Sequence, residues 1–197
     1  FSEKLFAQTP NFNWFPAAGA GTLACAPVNL IFTGSYTGSP APTSWNWNFG
    51  CGIPNTSTQQ NPGLISFPVC GTCIVTLTLN NGSTDVDSVV IHCNPTACFT
   101  LSPSVACEGT TFNFSSSCTN SGNGNPLTYL WDFGNGASST QPNPSYNGYN
   151  AGGCYSGVLV VTNNWGCQDD TTIQNAVCVT EPNSSTDNIV NDLLLSK

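Results

Sequence analysis

The chain has 197 residues, with 10 acidic and 2 basic side chains and one His, for a formal charge of -8 and only 6% charged residues, far below the roughly 25% usual in soluble domains. Asn, Ser and Thr make up 68 of the 197 residues, so the surface is polar through amides and hydroxyls. Two lysines cannot neutralise a row of phosphates, which excludes nucleic acid and an anionic membrane surface as partners. No apolar run reaches bilayer-spanning length, so membrane insertion is not expected, and a single His92 leaves little acid/base chemistry near neutral pH.

Eleven cysteines suit a secreted, extracellular protein in an oxidising compartment. The chain opens on Phe1 with no basic and apolar leader, which reads as a mature product whose export signal has gone. Near the start, NFNWF at 11–15 alternates Phe12 and Trp14 with Asn11 and Asn13, as a strand does. GAGTLA at 19–24 matches a dinucleotide fingerprint in letters, but Pro16 precedes it and Cys25-Ala26-Pro27 follows, so it reads as a loop without the strand and helix that phosphate binding needs.

The hexamer WNFGCG at 47–52 recurs as WDFGNG at 131–136, an offset of 84. Cys25 before NLIFTGS corresponds to Cys107 before TFNFSSS, and Cys73 before IVTLTLNNG to Cys154 before YSGVLVVTNNWG, at offsets of 82 and 81. Two copies of one unit account for this. Within each, apolar residues alternate, as Val75, Leu77 and Leu79 against Ile74, Thr76 and Thr78. Turn signals at Asn81-Gly82, 120–126, 142–148 and 163–166 separate short strands, the pattern of a small antiparallel sandwich with no helix between 12 and 180. Trp47 and Trp131 are expected as buried anchors, with Phe49 and Phe133 on the same face, glycines for the turn, and Asp132 as a turn-stabilising acceptor rather than a catalytic acid.

YLWDFGNG, then Gln-Pro-Asn-Pro-Ser-Tyr, Gly-Gly-Cys-Tyr and VLVVTNNWGCQDDT resemble the polycystic-kidney-disease (PKD) domain, an immunoglobulin-like sandwich. Asn135 stands where the family usually has Asp and Ser145 where it often has His; in the first copy Asn48 and Cys51 replace the two Asp of its Trp-Asp-Phe-Gly-Asp-Gly turn. The resemblance implies an all-β chain of two immunoglobulin-like (PKD-type) antiparallel β-sandwiches in tandem, at 12–95 and 96–180, with an N-terminal extension at 1–11 and a tail at 181–197. It also implies secreted, Bacteroidota-like modules that are commonly non-catalytic. Immunoglobulin-like geometry would pair Cys25 with Cys93, Cys107 with Cys178, Cys118 with Cys167, and Cys51 with Cys70 or Cys73. One of the last two then remains with Cys98 and Cys154, an odd set that leaves one thiol free or bonded to another chain.

Cys70-x-x-Cys73 with His92-Cys93 offers four zinc ligands, yet the second copy lacks the His and an oxidising compartment favours disulfides, so no metal and no cofactor are expected. A Ser-His-Asp site would have to use His92, at the end of SVVIH, where an edge position is the simpler reading; no enzyme is expected. Asn55, Asn81, Asn113 and Asn183 head N-glycosylation sequons. Ser88 and Thr171 sit in Asp-Ser-Val and Asp-Thr-Thr triplets similar to Bacteroidota O-glycan acceptors, so covalent glycans are expected partners. Trp45, Trp165, Tyr146 and Tyr149 are candidates for either a sugar-stacking face or core packing.

The apolar ends, Phe12 and Trp14 at one and Leu193, Leu194 and Leu195 at the other, are expected to contact other copies. The main functional reading is therefore a subunit of an extracellular glycosylated filament joined head-to-tail by strand addition, a homopolymer of one chain. The alternative is a non-catalytic adhesion or carbohydrate-binding module of a larger secreted protein.

Overall fold

The computed structural model describes residues 7–17 and 25–181, and all regular structure among them is β. The chain divides into two compact units. The first holds the residues up to Pro95 with Ser121–Pro126 and Asn163–Cys167; the second holds Thr96–Asn120, Leu127–Thr162 and the residues from Gln168 on. GAGTLA, Asn183 and Leu193 to Leu195 lie outside the described residues.

In the first unit, β1 (Thr9–Pro16), β2 (Val28–Thr37) and β5 (Gly63–Phe67) form one sheet in the order β1-β2-β5. The other, in the order β4-β3-β6-β7, is built from β3 (Trp45–Asn48), β4 (Thr56–Ser57), β6 (Gly71–Leu79) and β7 (Thr84–Ile91). Strict alternation drives this pairing: Leu30, Phe32, Ile65, Phe67, Val75 and Leu77 are fully buried between the sheets while their neighbours face outward.

β1 runs antiparallel to β2 from Thr9↔Thr37 to Pro16↔Leu30, so the expected boundary at residue 12 falls inside a strand. The expectation that Phe12 and Trp14 contact another copy is corrected by this pairing. Phe12 is 7% exposed, 5.3 Å from the Trp47 ring in a T-shaped contact, and its N–H donates to the Asp85 carboxylate at 3.0 Å. Trp14 is half-buried against the same core. The physical reason is register: eight residues of β1 find partners on β2, and the apolar positions of NFNWF meet their own unit's core first.

The second unit pairs β8 (Thr100–Ser102), β10 (Phe112–Ser115) and β13 (Ser145–Tyr146) in one sheet. The other holds β9 (Val105–Cys107), β11 (Thr128–Asp132), β12 (Ser138–Ser139), β14 (Gly153–Thr162) and β15 (Gln168–Thr180), in the order β12-β11-β14-β15-β9. Both units are immunoglobulin-like sandwiches, and the two hexamers occupy matching places in them. Trp47 pairs with Ser57 and Leu77 and donates through Nε1 to the Gln59 carbonyl at 2.8 Å. Trp131 pairs with Ser139 and Leu159 and donates to the Gln141 carbonyl at 2.8 Å.

Asp132 Oδ1 accepts the Gly134 N–H at 2.8 Å, and Asn48 Oδ1 accepts that of Gly50 at 2.9 Å. The turn needs only a side-chain oxygen two residues before the glycine, which is why Asn serves in the first unit as well as Asp in the second. Gly50 has φ 61°, and a Cβ there would meet the Ile74 carbonyl oxygen at 2.7 Å, so no other residue fits without strain.

Five disulfides form. Cys51 bonds to Cys73, one of the two partners left open for it, but the other expected pairs are replaced by Cys25–Cys167, Cys70–Cys93, Cys98–Cys118 and Cys154–Cys178, with Cys107 free and exposed. Strand register explains most of this. Gly71 lies opposite Ile91, which brings Cys70 and Cys93 together just beyond the ladder. Cys154 lies directly opposite Cys178. The Thr96↔Asn120 bridge and the bond from the Cys98 N–H to Thr119 Oγ1 draw Cys98 to Cys118. Cys25 meets Cys167 because residues 163–167 belong to the first unit.

Tyr149 is 1% exposed in the second core and its hydroxyl donates to the Phe133 carbonyl at 3.0 Å. Burial first, then the neighbouring Tyr146, Tyr155 and Asp132, pushes its phenol well above the usual tyrosine range. The folded unit thus holds this proton more tightly than the unfolded chain. Its contribution is complete below the unfolded value of about 10 and is lost as pH rises from there. The urea midpoint of the second unit is expected to fall above about pH 10, and Tyr149→Phe to flatten that limb; an unchanged alkaline limb in the variant would refute this assignment.

Candidate functional site

The candidate site lies in the first unit, where β7 ends at Ile91 and His92 follows. Cys25 and His92 form a parallel bridge, the Ala26 N–H donates to the His92 carbonyl at 3.0 Å, and Asn94 Nδ2 donates to the Ala26 carbonyl at 2.9 Å. These bonds and the Cys70–Cys93 disulfide fix the backbone on both sides of the His92 ring.

Residues 163–167 supply the other wall. Asn163, 5% exposed, organises the segment: its Oδ1 accepts the N–H groups of Trp165 at 3.1 Å and Cys167 at 3.0 Å, and its Nδ2 donates to the Cys93 carbonyl at 3.0 Å. The Asn163 N–H donates to the Cys167 carbonyl at 2.9 Å, closing a tight loop that Cys25–Cys167 fastens. The product is a half-buried Trp165 stacked on His92, with ring centroids 4.4 Å apart and planes at 19°.

Beside this pair is an open, largely apolar groove of about 160 Å³, lined by Gly71, Thr72, Val90, His92, Asn123 and Trp165 among others. Thr72 and Val90 face one another across β6 and β7, and Asn123 holds φ 67° on an exposed loop. The lining carries no carboxylate, amine or guanidinium. It can therefore offer an aromatic edge, a methyl surface and neutral hydrogen-bond groups, which suits an uncharged polar ligand with an apolar face.

The other aromatic candidates are placed elsewhere. Trp45 is 9% exposed and Tyr149 1%, and Tyr146 stacks on Phe133 at a 4.4 Å centroid distance, so all three serve packing. Cys70, Cys73 and Cys93, offered as zinc ligands with His92, are each engaged in a disulfide, and among the described residues no group of three or more His, Cys, Asp or Glu could hold a metal ion. The glycan candidates are spread over both units. Asn55 and Ser88 are exposed, while Thr171 is half-buried on β15. Asn81 holds the β6–β7 turn, its Nδ2 donating to the Gln8 carbonyl at 3.0 Å and its Oδ1 accepting the Ser83 N–H at 3.0 Å. Asn113 Oδ1 accepts the Ser145 hydroxyl at 2.6 Å.

In the sequence His92 and Trp165 carry no mark of one another. Their 73-residue separation hid the pair; the only signal was Cys167, two residues beyond Trp165, whose partner could not be read from spacing.

Residues 92–179 match the family model of the PKD domain. The chain is 44% identical over 61 residues to the pre-pro-metalloprotease PrtV of Vibrio cholerae, an alignment covering 31% of this chain and 6% of that protein. Among solved structures, the PKD1 domain of the V. cholerae metalloprotease PrtV is 35% identical, covering 44% of this chain and 99% of that one at a TM-score of 0.36. A carbohydrate-binding module of the β-sandwich superfamily is 30% identical, covering 47% and 37% at a TM-score of 0.43. The alternating core, the Trp131 anchor and the Asp132 turn thus lie within a recognised family, and over residues 92–179 this chain carries a PKD domain.

Proposed function

We propose that the chain is a non-catalytic binding module of a larger secreted protein and that its ligand is a neutral carbohydrate held beside Trp165. The observation that carries this reading is the groove itself, with a positioned, half-buried indole, Thr72 and Asn123 as neutral polar groups, and no carboxylate, amine or guanidinium. A pyranose ring presents C–H bonds on its faces and hydroxyls around its rim, which complements the aromatic edge, methyl surface and neutral hydrogen-bond groups of this lining. At about 160 Å³ the groove is smaller than the roughly 300–1,000 Å³ of enclosed small-molecule pockets, so it takes one ring of a chain that continues over the surface. The five disulfides support an extracellular setting. In the same proposal the first unit is a second, divergent PKD module, and exposed Asn55 and Ser88 carry covalent glycans.

Assembly with other copies, within this reading, rests on Leu193, Leu194 and Leu195 alone, since Phe12 and Trp14 belong to their own sheet. The test of the binding reading is a neutral-glycan array followed by calorimetry on the full chain. Binding by the wild type and at least a tenfold loss in Trp165→Ala, with unchanged unfolding, is the expected result. No glycan retained by the wild type, or equal affinity in the variant, overturns the reading.

A further inference from the structure

The second unit carries three cysteines on one face of one sheet. Its strand order places β14, β15 and β9 side by side. Cys154 on β14 is the register partner of Cys178 on β15, and the two are bonded with Cα atoms 4.1 Å apart. On the other side of β15, β9 runs parallel with Cys178↔Val105 and Thr180↔Cys107. Paired residues, and residues two apart on a strand, share a face. Val177 and Val179 point into the core at 1% and 4% exposure, so Cys178, Thr180, Cys154 and Cys107 are on the outward side. Cys107 is exposed and is the free thiol among the described residues. Its sulfur leans over β15, where the Thr180 hydroxyl approaches it at 3.7 Å.

We propose that Cys107, Cys178 and Cys154 form a thiol–disulfide exchange site. Displacement at sulfur proceeds with the attacking and leaving sulfurs on opposite sides of the attacked one. The strand order meets that demand, because Cys154 reaches Cys178 from the β14 side and Cys107 from the β9 side. The Cys107 thiolate forms a bond to Cys178 Sγ and the Cys154–Cys178 bond breaks. Cys154 leaves with the electron pair as a thiolate and takes up the proton that Cys107 gave to solvent. One disulfide is lost and one formed, so no oxidant or reductant is consumed.

The offset between Cys107 and Cys178 is two residues, about 6–7 Å along the strands, so β9 must slide toward Cys178 before the sulfurs meet. β9 has three residues, and Cys107 is its last before the turn in which the Thr110 N–H donates to the Cys107 carbonyl at 3.2 Å. The slide has to break the short β9–β15 ladder, including the bonds from the Cys178 N–H to the Ser104 carbonyl at 2.8 Å and from the Glu108 N–H to the Thr180 carbonyl at 3.2 Å. The chain then presents its reactive thiol at either of two exposed positions, Cys107 or Cys154, and the alternative bond is the Cys107–Cys178 pair suggested by immunoglobulin-like placement of the cysteines.

The experiment incubates the full chain at about pH 8.5, where thiolates are abundant, without added thiol. Acid quench, alkylation under denaturing conditions and non-reducing peptide mapping then locate the free cysteine. Expected is alkylation divided between Cys107 and Cys154, with Cys107–Cys178 peptides in proportion to the Cys154 label. In Cys107→Ser the Cys154 label should vanish. Label confined to Cys107 in the wild type overturns the proposal, and so does Cys154 label that persists in Cys107→Ser, which would mark incomplete oxidation instead of exchange.

Discussion

Replacing Trp131 with alanine is expected to cost the second unit about 3–5 kcal/mol, a large share of the roughly 5–15 kcal/mol that holds a domain of ordinary stability together. Trp131 is fully buried, with the rings of Phe99 and Phe114 at 5.2 and 5.6 Å. Truncation leaves a cavity at the centre of the sandwich. It also removes the donor to the Gln141 carbonyl, which becomes an unpaired acceptor in a half-buried place. The neighbouring aromatics cannot collapse into the gap without breaking their own tilted contacts, such as Phe114 on Phe133 at 5.0 Å. Trp47→Ala should act alike in the first unit, where Phe12, Phe32 and Phe49 surround the indole at 5.3, 6.0 and 5.4 Å. Urea unfolding of each variant decides. A loss below about 1 kcal/mol at Trp131, less than a well-buried large-to-small change costs, would show that the hexamer is a turn motif and no anchor.

The second large effect is expected at the Cys25–Cys167 bond. It closes 142 residues, whereas the other four disulfides close between 20 and 24. In the chain-entropy account an isolated loop of that length restricts the unfolded ensemble by about 5 kcal/mol, against about 3.4 for a loop near 22 residues. The other disulfides shorten the path between Cys25 and Cys167, which trims the larger figure to about 4.5 kcal/mol. The paired change Cys25→Ser with Cys167→Ser should therefore lower the unfolding midpoint of the first unit more than Cys98→Ser with Cys118→Ser lowers that of the second. It should also release the loop that presents Trp165, so that indole fluorescence reports a more exposed ring even in native buffer. A smaller midpoint shift than that of the Cys98–Cys118 pair would refute the loop-closure argument.

Much of the fold was legible because its signals are local. The two Trp-x-Phe-Gly hexamers carry anchor, acceptor and glycine within six residues, and the polarity alternation in CIVTLTL or NLIFTGS needs no distant partner to be read. From these the all-β class, the sandwich type and the burial of Trp47, Trp131, Phe49 and Phe133 follow directly. Phe12 and Trp14 show the limit of that reasoning. Their alternation announced a strand, but whether the partner strand belonged to the same chain or another was decided by the eight-residue register with β2.

What tertiary structure alone decided was pairing across long separations. Cysteine chemistry is identical at all eleven positions, so composition and spacing restrict connectivity only weakly. The choice is made where strand register brings two Cβ atoms within a few ångströms, as at Cys154 and Cys178. The candidate site depends on the same kind of decision. His92 and Trp165 have no sequence relation, and they stack because a buried Asn163 shapes one loop while Cys25–Cys167 and Cys70–Cys93 hold the backbones on either side. Sequence determined which residues favour strands and a core, since that preference is a property of each side chain and its near neighbours. The site had to await the fold, because proximity between residues 73 positions apart is a property of the folded whole.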